Sequence, residues 1–228
     1  MLRRSPTGSR PPSPFALVWT GRFYDIWQRR AGAPPPLEHL PLGDSVNPAG
    51  LAACSDVRRL ATEAGPAGRL ATVFRPAISA TALSTFSHPS AWGAPSATYL
   101  LPKSAGTATG LVDATGPGRY DIWLGGSFRA RLEVAVDGRP VGALSNELNN
   151  TGAYTRFGSV DLTPGMHQVE LRYAGPGLAP GTAGPAYPLG PLVLATTTAP
   201  DLVSYVSSAD ARALCGKSLD WIEALPPA

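Results

Sequence analysis

The chain has 228 residues, enough for one large domain or for one domain with a smaller attachment. Its net charge of +3 arises from 19 basic and 16 acidic residues, and the densest basic clusters are Arg3, Arg4 and Arg10, the pair Arg29 and Arg30, and the pair Arg58 and Arg59. No arginine stripe interleaves with aromatics as a nucleic-acid reader requires, so nucleic acid is excluded as a partner. No window approaches the roughly 18 to 20 apolar residues that a membrane-spanning helix needs.

An apolar fraction of 43% supplies a sizeable core, and 25 glycines with 25 prolines fall between apolar runs, where they read as turns. The opening, "MLRRSPTGSRPPSP", has the basic start of a signal peptide but lacks its apolar centre. Residues 1–14 therefore read as a disordered lead-in, or as an internal piece of a longer protein. From residue 15, "FALVWTGRFYDIWQR" predicts two strands broken at Gly21, followed by an irregular Pro-stiffened connection. "CSDVRRLATEA" predicts a short helix over 55–64 with Ser55 or Asp56 as its cap.

Strands are predicted at 69–75, 77–85, 97–102 and 109–115. The clearest stretch follows. Leu132, Val134 and Val136 alternate with Glu133, Ala135 and Asp137, and Asp137-Gly138 supplies the hairpin turn. In "DLTPGMHQVELRY", Val169, Leu171 and Tyr173 point one way and Gln168, Glu170 and Arg172 the other. "PLVLATTT" closes the series. The tail predicts a short helix ending at Gly216 and then an edge strand in "LDWIEAL", both packing on the N-terminal strand pair.

Catalytic patterns are absent: the chain has no Gly-x-Ser-x-Gly elbow, no phosphate loop and no His-Glu-x-x-His. His39, His88 and His167 are scattered, and His167 reads as structural. Asp25 and Asp121 lie within strands and carry no acid–base reading. The chain is thus read as a non-enzyme with no catalytic residue and no metal ligand. Cys54 precedes the first helix and Cys215 ends the last, in two segments expected to pack together, which predicts a Cys54–Cys215 disulfide. Closing so long a loop is worth roughly 5 kcal/mol in the chain-entropy model, and such a bond belongs to an oxidising compartment.

Gly118 to Ile122, Val134 to Gly138, Tyr154 to Leu162 and Gly165 to Leu171 carry the strand motifs "Gly-x-Tyr-x-hydrophobic", "hydrophobic-x-Val-Asp-Gly", "aromatic-x-x-x-Gly-x-hydrophobic-x-Leu" and "Gly-x-His-x-hydrophobic-x-Leu". In these the chain resembles the galactose-binding-like jelly rolls of carbohydrate-binding modules. The resemblance implies an all-β jelly-roll sandwich over 66–200, with a small α+β flank made from 15–65 and 201–228. The flanks "LVWTGRFYDIWQR" and "ARALCGKSLDWIEAL" resemble the C-terminal extracytoplasmic region of polytopic membrane glycosyltransferase-type proteins of GC-rich bacteria. That likeness implies a location on the extracytoplasmic side of the membrane and a partner in the membrane-embedded part of the parent protein.

Some galactose-binding-like modules hold a structural calcium through carboxylates and carbonyls, for which Asp113, Asp161 or Glu147 would serve here; the alternative is that these are solvated surface carboxylates. A sugar site needs an aromatic plane for the C–H face of the ring and amide or guanidinium groups for its hydroxyls. Three loops offer them, with Phe128 and Arg129, with Asn149, Asn150 and Tyr154, and with Tyr187; the alternative is that Asn149-Asn150 only makes a turn, Phe128 and Tyr154 are core, and Tyr187 covers an edge. The expected ligand is a carbohydrate or a polyprenyl-linked sugar; the alternative is a structural module that packs on its membrane partner and binds no sugar. The tetrapeptide YDIW occurs at 24–27 and at 120–123. In a strand its Tyr and Ile face one side and its Asp and Trp the other, so the echo reads as shared strand composition.

Overall fold

Fifteen strands and one α-helix follow one another along the described residues: β1 (Leu2–Arg3), β2 (Phe15–Thr20), β3 (Tyr24–Arg29), β4 (Glu38–Pro41), α1 (Cys54–Ala64), β5 (Arg69–Phe74), β6 (Ile78–Thr81), β7 (Gly106–Ala114), β8 (Gly118–Gly126), β9 (Leu132–Val136), β10 (Arg139–Leu144), β11 (Tyr154–Leu162), β12 (Gly165–Tyr173), β13 (Leu189–Thr196), β14 (Val203–Ser207) and β15 (Leu219–Leu225). The structure, a computed structural model, describes residues 1–43, 51–75, 78–150, 152–177, 182, 184–196 and 203–227. The chain divides into a sandwich unit, Ile78–Thr197, and a terminal unit, Met1–Ala77 with Thr198–Ala228.

The sandwich unit is an all-β jelly roll of two antiparallel four-stranded sheets, ordered β10-β9-β12-β7 and β11-β8-β13-β6. The period-2 alternation of the sequence decides which side chains it buries. Tyr120, Ile122 and Leu124 of β8, Leu132, Val134 and Val136 of β9, Val169 and Leu171 of β12, and Leu192 and Leu194 of β13 form one core. The opposite face of β8 places Trp123 with Tyr154 and Val193 in a second cluster. Tyr120 lies in the core, and its hydroxyl donates to the Gly116 carbonyl at 2.7 Å, which ties down the β7–β8 turn. Asp137 and Gly138 both have positive φ, 49° and 74°. The turn between β9 and β10 is therefore the two-residue type that matches strand twist.

The terminal unit holds two sheets, β1-β3-β2 and β14-β5-β15-β4. Helix α1 buries Val57, Leu60 and Ala64 against Ile222 and Ala224 of β15 and against Ala211 and Leu214 of a 3-10 turn, Ser208–Leu214. Cys54 and Cys215 are disulfide-bonded, with Cα atoms 4.9 Å apart. Asp220 is the polar hinge of this unit. Its carboxylate accepts from the Arg75 guanidinium at 2.7 Å and from the Arg10 backbone N–H at 3.1 Å, and all three groups are largely withdrawn from solvent. Burial pushes the Arg10 guanidinium below its ordinary value, and Asp220 opposes that shift.

Several boundaries differ from the sequence reading. Residues 1–14 are not a loose lead-in: Leu2 and Arg3 pair with β3, and Ser9, Arg10 and Ser13 bond to Asp220 and Glu223 of β15. Strand β5, assigned to the sandwich, lies between β14 and β15 of the terminal unit. Strand β15 is interior rather than an edge, and β2 with β3 forms a separate sheet instead of receiving it. The 97–102 segment makes only isolated bridges at Leu100 and Leu101. Helix α1 begins on Ala53 without a side-chain cap, so neither Ser55 nor Asp56 serves. The two YDIW stretches are strands of different units, β3 and β8.

Candidate functional site

A surface cleft of about 380 Å³ opens in the sandwich unit, at the small end of the ~300–1,000 Å³ typical of ligand pockets. Three segments line it: 101–103 before β7, 127–129 between β8 and β9, and 184–187 before β13, with Tyr173 from the end of β12. The middle segment is anchored from within. Phe128 is almost wholly buried and stacks on Phe157 with centroids 5.8 Å apart, and its N–H donates to the Glu147 carbonyl at 2.9 Å. Its neighbour Arg129 is thereby held at the cleft wall.

Arg129 meets Tyr187 twice. One guanidinium nitrogen donates to the Tyr187 hydroxyl at 3.2 Å, and the guanidinium carbon lies 5.7 Å from the ring centroid. The Arg129 Nε–H is buried and has no hydrogen-bond partner among the described residues. Gly184 has φ +135°, and a Cβ there would stand 3.2 Å from that same Nε. Only glycine lets the backbone pass so close at this φ. Lys103 adds a second, exposed cation, and Ser127 and Thr182 add hydroxyls. Burial pushes the Tyr173 phenol above its ordinary value. Among the described residues the lining includes no Asp, Glu, His or Cys.

Of the six residues expected to touch a sugar, the cleft brings together Phe128, Arg129 and Tyr187. Asn149, Asn150 and Tyr154 are elsewhere. The Asn149 amide donates to the Gly126 carbonyl at 2.7 Å and the Thr155 hydroxyl at 2.9 Å, bracing the end of β8. The Asn150 carbonyl accepts from Ala153 in a turn, and Tyr154 is buried beside Trp123. Sequence reading missed Lys103, Ser127, Tyr173 and Thr182; Lys103, one of only two lysines, was the available signal. Among the described residues no three His, Cys, Asp or Glu side chains gather. Asp161 instead pairs with Arg119 at 3.8 Å, Asp113 sits opposite Met166 in the sheet, and the Glu147 backbone pairs with Phe128.

The histidines are tied into structure. His39 bonds to the buried Glu223 carboxylate at 2.9 Å, and His88 to the Pro89 carbonyl at 3.0 Å. His167 bonds through Nδ1 to Asp137 at 2.6 Å and through Nε2 to the Thr163 carbonyl at 2.8 Å, clamping the β9–β10 turn to the β11–β12 turn. The Asp137 carboxylate raises the imidazole above its ordinary 6.5, and the imidazole lowers Asp137 below 3.8. A raised histidine stabilises fully below pH 6.5 and loses that contribution as pH rises through its folded value. A lowered aspartate stabilises fully above about pH 3.9 and loses it on acidification. The clamp is therefore strongest at about pH 4–6.5, and half-exposed Asp137 limits it to about 1 kcal/mol. In unfolding titrations the wild type should exceed His167→Gln most at pH 5–6 and least near pH 9; a pH-independent gap would contradict this.

Fold and cleft define a β-sandwich module with a cationic, aromatic-walled surface cleft. No family model matches the chain, and no curated protein matches it. Among solved structures it is similar to the CBM36-1 domain of a multidomain xylanase from the hindgut metagenome of Trinervitermes trinervoides, at 11% identity over 54% of this chain and 98% of that one, with TM-score 0.35. It is also similar to a family 35 carbohydrate-binding module from an environmental isolate, at 12% identity over 56% and 98%, with TM-score 0.31. A third likeness is to the Podospora anserina GH26-CBM35 β-(1,4)-mannanase, at 14% identity and TM-score 0.34, covering 58% of this chain and only 28% of that protein.

Proposed function

We propose that the sandwich unit is a non-catalytic extracytoplasmic accessory module that binds a glycan or a lipid-linked sugar in the Arg129–Tyr187 cleft. The observation that carries this reading is the gathering of the Arg129 guanidinium, the Tyr187 ring and Lys103 around one open cleft. Tyr187 supplies a ring plane for the C–H face of a sugar. Arg129 and Lys103, with no carboxylate beside them in the lining, favour a saccharide bearing a negative group, such as a uronate carboxylate or the phosphate of a polyprenyl-linked sugar. The lining holds no acid–base pair, so the chemistry is retention and not turnover. The Cys54–Cys215 bond supports an oxidising compartment, and attachment to a membrane glycosyltransferase-type protein rests on the resemblance of the flanks. A second reading, a packing module that binds no sugar, is favoured by the exposed apolar residues of β2 and β3.

Screening on a glycan array, followed by calorimetric titration, tests the reading. A neutral saccharide, a uronate and a sugar phosphate separate the anion sources. Arg129→Ala and Tyr187→Ala should each weaken binding by about tenfold or more, the scale of a lost charge-assisted hydrogen bond or stacked ring. Asn150→Ala, outside the cleft, should leave it within about twofold. If neither cleft substitution weakens binding, the site lies elsewhere.

A further inference from the structure

We propose that the N-terminal sheet, β1-β3-β2, is a docking element for an anionic lipid surface, entered by the tip of the β2–β3 hairpin. The first observation is exposure. Trp19 and Val18 are 54% exposed, Leu17 45%, Ile26 41%, Tyr24 39% and Phe23 37%. These residues are contiguous, and they do not share one face. Cross-strand pairing sets Leu17 opposite Trp27 on one side of the sheet and Trp19 opposite Ile26 on the other, with a bulge at Val18 between them. A protein partner covers one face of a sheet. Apolar residues on both faces and at the turn suit edge-on entry into a medium that surrounds the hairpin.

Charge is the second, independent observation. Residues 1–30 hold six arginines, one aspartate and no other charged side chain, a net +5, whereas the remaining 198 residues are net −2. Arg10 pairs with Asp220 and Arg4 with Asp25, so the exposed Arg3, Arg22, Arg29 and Arg30 carry the positive charge of this sheet. At the tip two guanidinium groups lie against one aromatic ring. The Arg22 guanidinium lies 4.7 Å from the Phe23 ring centroid and that of Arg3 6.0 Å. The Trp19 ring folds over Gly21, where a Cβ would collide with it. Trp, Tyr and Phe with arginine stems spanning from apolar to polar surroundings match the headgroup zone of a bilayer, and clustered cations match its anionic lipids. The base of the element is held firmly, since Ser9, Arg10 and Ser13 bond to β15.

Co-sedimentation of the full chain with vesicles tests the proposal. Binding to vesicles of equal parts phosphatidylcholine and phosphatidylglycerol should exceed binding to pure phosphatidylcholine by about tenfold or more and fall with added salt. Arg3→Gln with Arg22→Gln, both exposed at the tip, should weaken it by about 25-fold, roughly fivefold for each cation near the surface. Trp19→Ala with Phe23→Ala should abolish the blue shift of tryptophan emission on vesicle addition, and near-ultraviolet dichroism without vesicles should confirm that each variant remains folded. Equal binding to both vesicle types, no binding, or unchanged binding by the folded variants overturns the proposal. A dimer in solution that Trp19→Ala with Phe23→Ala dissociates also overturns it, in favour of a second copy of the chain as occupant.

Discussion

Replacing Asp220 with alanine should destabilise the terminal unit by about 3–5 kcal/mol, the cost of stripping one partner from a buried ion pair. Arg75 and Asp220 have only 5% and 4% of their side chains exposed. Without the carboxylate the Arg75 guanidinium keeps its bond to the Thr7 carbonyl at 2.8 Å, but its charge has no buried counterion. Arg10 loses the same carboxylate both as counterion and as the acceptor of its backbone N–H. Asp220→Asn keeps the volume and one acceptor yet leaves the charge uncompensated, so it should recover only part of the loss. Denaturant unfolding with the slope held constant measures the difference. A loss below about 1 kcal/mol would mean that the pair is hydrated in solution and contributes little.

Removal of the disulfide comes next in size. Cys54→Ala with Cys215→Ala should cost about 2–5 kcal/mol, because the bond closes a loop between residues 161 positions apart in the chain. The chain-entropy figure for such a loop, about 5 kcal/mol, is an upper bound, since α1 and the 208–214 turn already pack through Val57, Leu60, Ala211 and Leu214. The same noncovalent packing should let the double variant fold at low temperature while unfolding earlier on heating. Equal stability of the oxidised and reduced wild type would contradict the prediction.

What the sequence disclosed follows from how each strand is buried. Strands β9 and β12 alternate between a buried and a wetter face, so Leu132, Val134 and Val136 declare their side and Asp137-Gly138 declares the turn. Strand β5 buries Leu70, Ala71, Thr72 and Val73 in succession. Such a run shows that it is interior without showing to which sheet it belongs. Strand β15 hides Asp220 and Glu223 among apolar residues, and buried charges of this kind read as solvent-facing until their partners are known. Those partners are Arg75 and His39 together with the Arg10 and Ser13 backbone N–H groups, which lie far along the chain, the last two over 200 positions away in a polar stretch without any period. The cleft was legible in half. Arg129 and Tyr187 stood out as polar and aromatic residues on Gly-rich loops, whereas Asn149 and Tyr154 have the same chemistry and are spent on bracing and packing. Lys103 joins them only through the fold.

The central claim is that a saccharide occupies the Arg129–Tyr187 cleft, and backbone amide shifts recorded during titration with the tightest-binding glycan test it most directly. The largest changes should fall in 101–103, 127–129 and 184–187, with residues of the β10–β11 connection around Asn150 nearly unmoved. Changes centred on that connection, or the absence of binding by any glycan to the unaltered protein, would contradict it.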